Sequence, residues 1–307
     1  MVRLFFYFKK IVFLHKVKKI VMKKSIFLIL LLTMLTLSVS SCTKLRAGDT
    51  FVYNHEGVVY TCEVIVSKMK YVRISPVAAT ETLSGTVEIP SKVKYNGKKF
   101  TVTQIAENAF RGYSSITSVV LPSTLSVIEN GAFSGCVSLK TVNTPQPLSS
   151  IGNSAFEDCE ALVHFSLDAS ISSLGEACFK NCSSLADISI PSSFSDIPKE
   201  AFYGCVSLTN LELSATIMHI GDAAFEGCSG LKTVYMDRSL QDIGERAFKG
   251  CTAIESIKCL TAMPPRCFDS TFDGVPANST VTVPMAQVND YKTTTGWNHF
   301  TDFVGVY

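Results

Sequence analysis

Between residues 105 and 263 the apolar and polar positions of the chain recur every 23 residues. Phenylalanine marks the period at Phe110, Phe133, Phe156, Phe179, Phe202, Phe225 and Phe248. Ile or Leu stands five residues before each Phe, and Ala or Cys directly before it. Three residues after it comes Tyr113, then Cys136, Cys159, Cys182, Cys205, Cys228 and Cys251. Ile or Leu follows at six residues, and a large apolar residue at nine. A fixed period of roughly 20–50 residues is the signature of a solenoid, in which one unit cannot bury its apolar side alone but stacked units can.

The unit from Ile197 to Ser214, IPKEAFYGCVSLTNLELS, predicts the elements. Leu208, Leu211 and Leu213 have the L-x-x-L-x-L spacing of a short strand whose side chains alternate between core and outside. The Glu200–Cys205 stretch predicts a compact turn or short helical piece. Two residues after most Phe stand Gly112, Gly135, Asn181, Gly204, Gly227 and Gly250. These residue types tolerate a positive φ.

The flanks read differently. Residues 50–103 alternate like strands, and Asn96-Gly97 between two such runs predicts a hairpin. A β cap over the first repeat is the expected role, because an open solenoid end exposes apolar ladders and a sheet edge. Residues 264–307 open with Pro264-Pro265 and predict a strand at Ser279–Pro284 and a short helix between Met285 and Thr294. In this frame Arg266 falls where Ile or Leu is expected and Phe272 arrives one residue late, which marks the start of a C-terminal cap. Trp297, the single tryptophan, is expected to anchor that cap rather than to stack on a ligand.

The first 41 residues read as an address. Met22-Lys23-Lys24 precedes an apolar run from Ile26 to Leu37, then Val39-Ser40-Ser41-Cys42, the order of a secretory signal. The run is too short to span a bilayer comfortably. Val-Ser-Ser-Cys resembles a bacterial lipobox, which implies acylation of Cys42; an ordinary signal peptide with an incidental Cys42 is the alternative. Met22 is the expected start, with a long basic n-region as the other reading of residues 1–21. Removing residues 1–41 changes the charge. The whole chain has 28 basic and 26 acidic residues, but residues 42–307 keep 20 basic and all 26 acidic ones. A net-negative chain without a basic run argues against nucleic-acid binding.

Candidate chemistry is sparse. Six of the 11 cysteines are ladder residues and read as small apolar fillers. Cys178 and Cys182 both have ladder slots, and Cys259–Cys267 is the first disulfide to check. No paired Cys/His spacing suits zinc, so no metal or cofactor is expected. His55, His164, His219 and His299 lie in no metal or nucleophile motif, and no P-loop, G-x-S-x-G or dinucleotide fingerprint occurs. No enzymatic activity is expected. Asp269-Ser270-Thr271 resembles an O-glycosylation acceptor of some Gram-negative exported proteins.

The informative positions point out of the strands. Eight residues after each Phe stand Ser118, Thr141, His164, Asp187, Asn210, Thr233 and Ser256; ten after it stand Val120, Asn143, Ser166, Ser189, Glu212, Tyr235 and Lys258. The core columns barely change while these two vary freely, as on a scaffold with an adaptable face. The expected binding face is His164, Asp187, Asn210, Glu212, Tyr235 and Lys258. Tyr235 is the expected anchor, because aromatics dominate interfaces; a solvated face that binds nothing is the alternative.

The motif I-G-x-x-A-F-x-G-C-x-S-L-x-x-V-x-L-P, nearly whole from Ile220 to Leu231 and from Ile243 to Cys251, resembles the BspA-like leucine-rich repeats of bacterial and some protozoan surface proteins. The resemblance covers residues 105–263 and extends to the caps. It implies an α/β-type leucine-rich repeat solenoid of seven 23-residue coils. The expected layout is a leader at 1–41, a linker at 42–49, a β N-terminal cap at 50–103, repeats at 104–263 and a small C-terminal cap at 264–307. Together with the lipobox-like Val39-Ser40-Ser41-Cys42, the expectation is an exported, outer-membrane lipoprotein, at the cell surface or on the periplasmic face. Its expected partner is a protein or glycan on another cell or host matrix. Scaffolding of a periplasmic complex is the alternative, because Cys42-Thr43-Lys44-Leu45-Arg46 lacks the acidic cluster that often marks surface export.

Overall fold

Two stacks of short parallel strands and one stack of phenylalanine rings run through the repeat region, the first of the two strand stacks interrupted between Leu174 and Asp196. The structure, a computed structural model, describes residues 45–77 and 83–307. The expected leader and Cys42 lie outside the described residues. Arg46–Tyr307 forms one compact unit.

The described residues open with six strands: β1 (Thr50–His55), β2 (Val58–Val66), β3 (Tyr71–Pro76), β4 (Gly85–Glu88), β5 (Lys92–Tyr95) and β6 (Lys98–Ile105). β1, β2 and β3 form an antiparallel meander, β5 and β6 form the hairpin predicted at Asn96-Gly97, and β3 lies parallel to β6. Tyr60, Cys62, Val64, Val72, Ile74, Val93, Phe100 and Val102 bury one face of this sheet. Both solenoid ladders start here. β6 pairs in parallel with Val127–Ile128, and β4 with Ile116–Val120.

The short ladder carries two residues per coil: Val127–Ile128, Ser150–Ile151 and Ser173–Leu174, then Asp196–Ile197, His219–Ile220 and Asp242–Ile243. The second residue of each pair is the Ile or Leu five before Phe. The long ladder carries Ile116–Val120 and Thr141–Val142, narrows to a single His164–Asp187 bridge, then widens to Asn210–Leu213, Thr233–Met236 and Ser256–Cys259. Leu211 and Leu213 face the core and Asn210 and Glu212 face out, as the alternation requires.

The Phe segment is a set of overlapping turns. Alternate N–H groups close the turns, as in Arg111 N to Asn108 O (3.1 Å). The others reach the next coil, as in Phe110 N to Ala132 O (2.7 Å). This is a third ladder of backbone bonds, and it satisfies buried polar groups without a helix. The coils are therefore β and turn throughout; among the described residues the only α-helix is Val288–Thr293, in the C-terminal region. Gly227, two residues after Phe225, has φ +76°, and its equivalents Gly135, Asp158 and Asn181 are also left-handed. A second left-handed position, two before Phe, is occupied by Ser154, Ala177, Glu200, Ala223 and Arg246.

Inside the turns the rings stack. Centroids from Phe110 to Phe272 are 5.1 to 5.7 Å apart, with planes within 9°. Phe272 thus continues the stack rather than leaving it. The sequence expectation at Arg266 is corrected by the same register. Arg266 bridges to outward-facing Asp242, so it fills the outward slot of the short ladder, and Cys267 takes the Ile place. One extra residue upstream of Arg266 absorbs the late Phe.

Trp297 is fully buried and closes the stack on Phe272 at 5.1 Å, and its Nε1 donates to Pro265 O (3.0 Å). Thr280–Pro284 and Asp302–Val306 add two more parallel strands to the long ladder. The ten cysteines of the described residues are unbridged, Cys259 and Cys267 included.

Candidate binding face

The outward side of the long ladder holds every residue of the expected face. Parallel register lines up Asn210, Thr233 and Ser256 in one row, and Glu212, Tyr235 and Lys258 in the next. Adjacent strands lie about 4.8 Å apart, so Glu212, Tyr235 and Lys258 form one continuous row. Lys258 Nζ sits 5.5 Å from the centroid of the Tyr235 ring. That cation–π contact holds the ring half-buried between an acidic and a basic neighbour.

His164 and Asp187 belong to the neighbouring row, with His164 Nδ1 3.0 Å from Asp187 Oδ2. Their side chains are 69% and 73% exposed, so the pair is solvent-screened and adds little to stability. The same row makes hydroxyl and amide contacts: Thr141 Oγ1 donates to Ser118 Oγ (2.9 Å) and Thr233 Oγ1 to Asn210 Oδ1 (2.7 Å). The six expected residues therefore share one ladder. Asn210, Glu212, Tyr235 and Lys258 are contiguous, and the His164–Asp187 pair occupies the coils before them.

Asn143, in the row of Glu212 and Tyr235, has a different task. Its Oδ1 accepts from Leu121 N (2.6 Å) and its Nδ2 donates to Leu121 O (3.0 Å), so it braces the preceding coil. The face also extends further than the repeat count implied. Thr280 and Thr282 continue the two rows, and Thr280 Oγ1 donates to Asp302 Oδ2 (2.7 Å). The alternation Thr280-Val281-Thr282-Val283 signalled the strand, but nothing local signalled its parallel pairing.

A second polar group lies on the short ladder. Asp242 accepts from Arg266 Nε and lies 2.8 Å from His219 Nδ1. Arg266 first, and His219 second, hold its carboxyl below the usual carboxylate range against the opposing effect of burial. A shallow pocket of about 640 Å³ opens beside it, lined by Ile243, Arg266, Cys267, Phe268 and Thr294 among others. Burial pushes the Cys267 thiol up, so it is a poor nucleophile in this setting. No cluster of three potential metal ligands occurs among the described residues. In the Asp269-Ser270-Thr271 motif, Thr271 is buried and donates to Gly244 O (3.1 Å), which leaves Ser270 as the accessible hydroxyl.

The ladder cysteines do more than fill space. Cys136, Cys159, Cys182, Cys205, Cys228 and Cys251 each point Sγ at the carbonyl of the Phe 26 residues earlier, at 3.1 to 3.2 Å. Sequence reasoning missed this donor role. The signal was the preference for Cys over Ala or Val in a fully buried slot.

Comparison with known proteins agrees with this geometry. The chain is similar to a Treponema pallidum leucine-rich repeat protein at 25% identity, with a TM-score of 0.54 over 69% of this chain and 91% of that one. A leucine-rich repeat protein of Bacteroides ovatus is similar at 20% identity and a TM-score of 0.48, over 87% and 77%. No curated protein matches the chain. The BspA type Leucine rich repeat region matches in six copies, over residues 103–205 and 195–284. Solenoids of this kind are scaffolds for protein interaction through an extended surface. With more than half its length matched and its rings, thiols and ladders in register, the chain belongs to the BspA-type leucine-rich repeat family.

Proposed function

We propose that this protein is a non-catalytic, lipid-anchored protein of the bacterial envelope. Its outward strand rows bind a macromolecule, protein or glycan, on another cell or on host matrix. The observation that carries the reading is the contrast within each coil. Core columns are nearly invariant from unit to unit, whereas Asn210, Glu212, Tyr235 and Lys258 make a chemically mixed, continuous and accessible strip. An aromatic flanked by a carboxylate and an ammonium suits an interface anchor, and solenoids bind through such rows. Fold alone does not choose the ligand. The lipid anchor rests on the Val39-Ser40-Ser41-Cys42 motif.

A second reading is a periplasm-facing scaffold, favoured by the absence of acidic residues directly after Cys42. Protease treatment of intact cells, with a lysed control, separates the two. Digestion on intact cells supports the surface reading. Protection until lysis overturns the host-facing role and leaves the scaffold.

A further inference from the structure

We infer that one end of the N-terminal sheet is a second membrane contact, docking on the anionic headgroups of the bilayer that holds the Cys42 anchor. This rests on the lipid-anchor reading above. Charge is divided sharply along the chain: residues 42–103 hold nine basic and five acidic residues, whereas residues 104–307 hold 11 basic and 21 acidic ones. The excess of positive charge is concentrated at one place in the fold.

The β2–β3 turn carries Lys68, Met69 and Lys70, and the β5–β6 hairpin tip carries Lys94, Lys98 and Lys99, all exposed. β3 runs parallel to β6 with Tyr71 opposite Thr101, so both tips lie at the same end of the sheet. Thr101 N donates to Lys70 O (2.8 Å) and joins them. Lys94 and Lys99 are direct cross-strand partners, an arrangement that like charges disfavour unless something neutralises them. Among the described residues none of these lysines forms an ion pair. Met69, 63% exposed, projects from the middle of the cluster as an apolar contact.

Where the chain arrives selects the occupant. Thr50 pairs with Glu63 near the end of β2, and Gly48 N donates to Val64 O (2.8 Å), so the chain enters the sheet at this same end. Eight peptide steps separate Cys42 from Thr50. Fully extended they reach about 28 Å at most. A tether of that length keeps the lysine tips within reach of the headgroups, where a single lipid signal is reinforced by a basic cluster. The acidic repeats are repelled by the same surface, which turns the solenoid away from the bilayer.

The test is co-sedimentation of unlipidated residues 46–307, the compact unit with its own core, with vesicles. One set is phosphatidylcholine; the other contains about one-third phosphatidylglycerol. The expected result is binding only to the phosphatidylglycerol vesicles, lost at about 0.5 M salt. Binding falls roughly tenfold or more when Lys68→Gln, Lys70→Gln, Lys94→Gln, Lys98→Gln and Lys99→Gln are combined. Circular dichroism and the melting temperature report whether that variant is folded. A folded variant that binds as well as wild type, or wild type that ignores phosphatidylglycerol, overturns the inference. So does binding to a soluble anionic polysaccharide in preference to vesicles. Acylation of Cys42 is read separately, from the intact mass of protein extracted from membranes. An acylated protein whose unlipidated core ignores anionic vesicles leaves the anchor standing and removes the second contact.

Discussion

The Cys159 thiol donates to the carbonyl oxygen of Phe133, 3.2 Å away in the preceding coil. The same oxygen already accepts the N–H of Cys136 (3.1 Å) at the close of its own turn. One sulfur thus uses the second lone pair of a fully buried carbonyl and ties two coils together. Repeated at each coil, this bond gives the period its cysteine.

Removing one such thiol should cost both the bond and the packing around it. Cys182→Ala is expected to lower the unfolding free energy by about 2 kcal/mol. Urea unfolding followed by circular dichroism measures it. An unchanged midpoint would return the cysteine to the status of inert filler.

Stability should fall at alkaline pH. Burial raises the Cys62, Cys136 and Cys228 thiols from an ordinary 9.0 to about 12, and pushes Cys159, Cys182, Cys205 and Cys251 well up as well. Above pH 9 the unfolded chain loses these protons while the folded one keeps them. Proton binding therefore favours the folded state, with full effect below the unfolded value and progressive loss as pH rises toward 12. Each thiol contributes about 1.4 kcal/mol per pH unit in that window. The urea midpoint should be flat from about pH 7 to 8.5 and drop steeply above about pH 9.

The two glycines of one motif should respond differently to the same methyl group. A Cβ on Gly221 would stand 2.6 Å from Lys199 N, a backbone atom of the preceding coil that cannot move aside. On Gly227 it would stand 3.7 Å from Gly204 Cα, an ordinary contact, and only the positive φ opposes it. Gly227→Ala is expected to cost about 1 kcal/mol. Gly221→Ala should cost clearly more, as overpacking does. Melting temperatures of the two variants give the order.

Arg73 joins the N-terminal sheet to the coil of Phe133. It is bidentate on Glu63 (2.9 and 3.0 Å) and reaches Glu129 at 3.0 Å. The three side chains are 20% to 33% exposed, so the network is partly screened. Arg73→Gln should cost about 1–2 kcal/mol and loosen β3 first. Hydrogen exchange at Tyr71–Pro76, compared with Asn210–Leu213 as control, shows whether the loss is local.

Much of this architecture was legible because it is periodic. A Phe at a fixed spacing fixes what stacks on what, and the alternation in Leu208, Leu211 and Leu213 fixes which side faces out. The placement of His164, Asp187, Asn210, Glu212, Tyr235 and Lys258 on one ladder followed directly. Features that break the period were not legible. The late Phe272 was visible, but that the extra residue lies before Arg266 became clear only from the pairing of Arg266 with Asp242. The left-handed backbone at Glu200 and Arg246 had no signal, since neither residue type prefers it. The proximity of Lys70 to Lys99 depends on a parallel pairing between strands that are not neighbours in sequence.

Binding through the long-ladder face is tested most directly by one comparison. Wild type and the combined Glu212→Ala, Tyr235→Ala, Lys258→Ala variant are applied, at matched melting temperature, to a panel of host cells, matrix proteins and glycans. The expected result is a ligand on that panel whose binding the variant weakens by roughly 30-fold or more, the scale of one lost aromatic anchor. A ligand bound equally by both proteins would contradict it and move the interaction off this face.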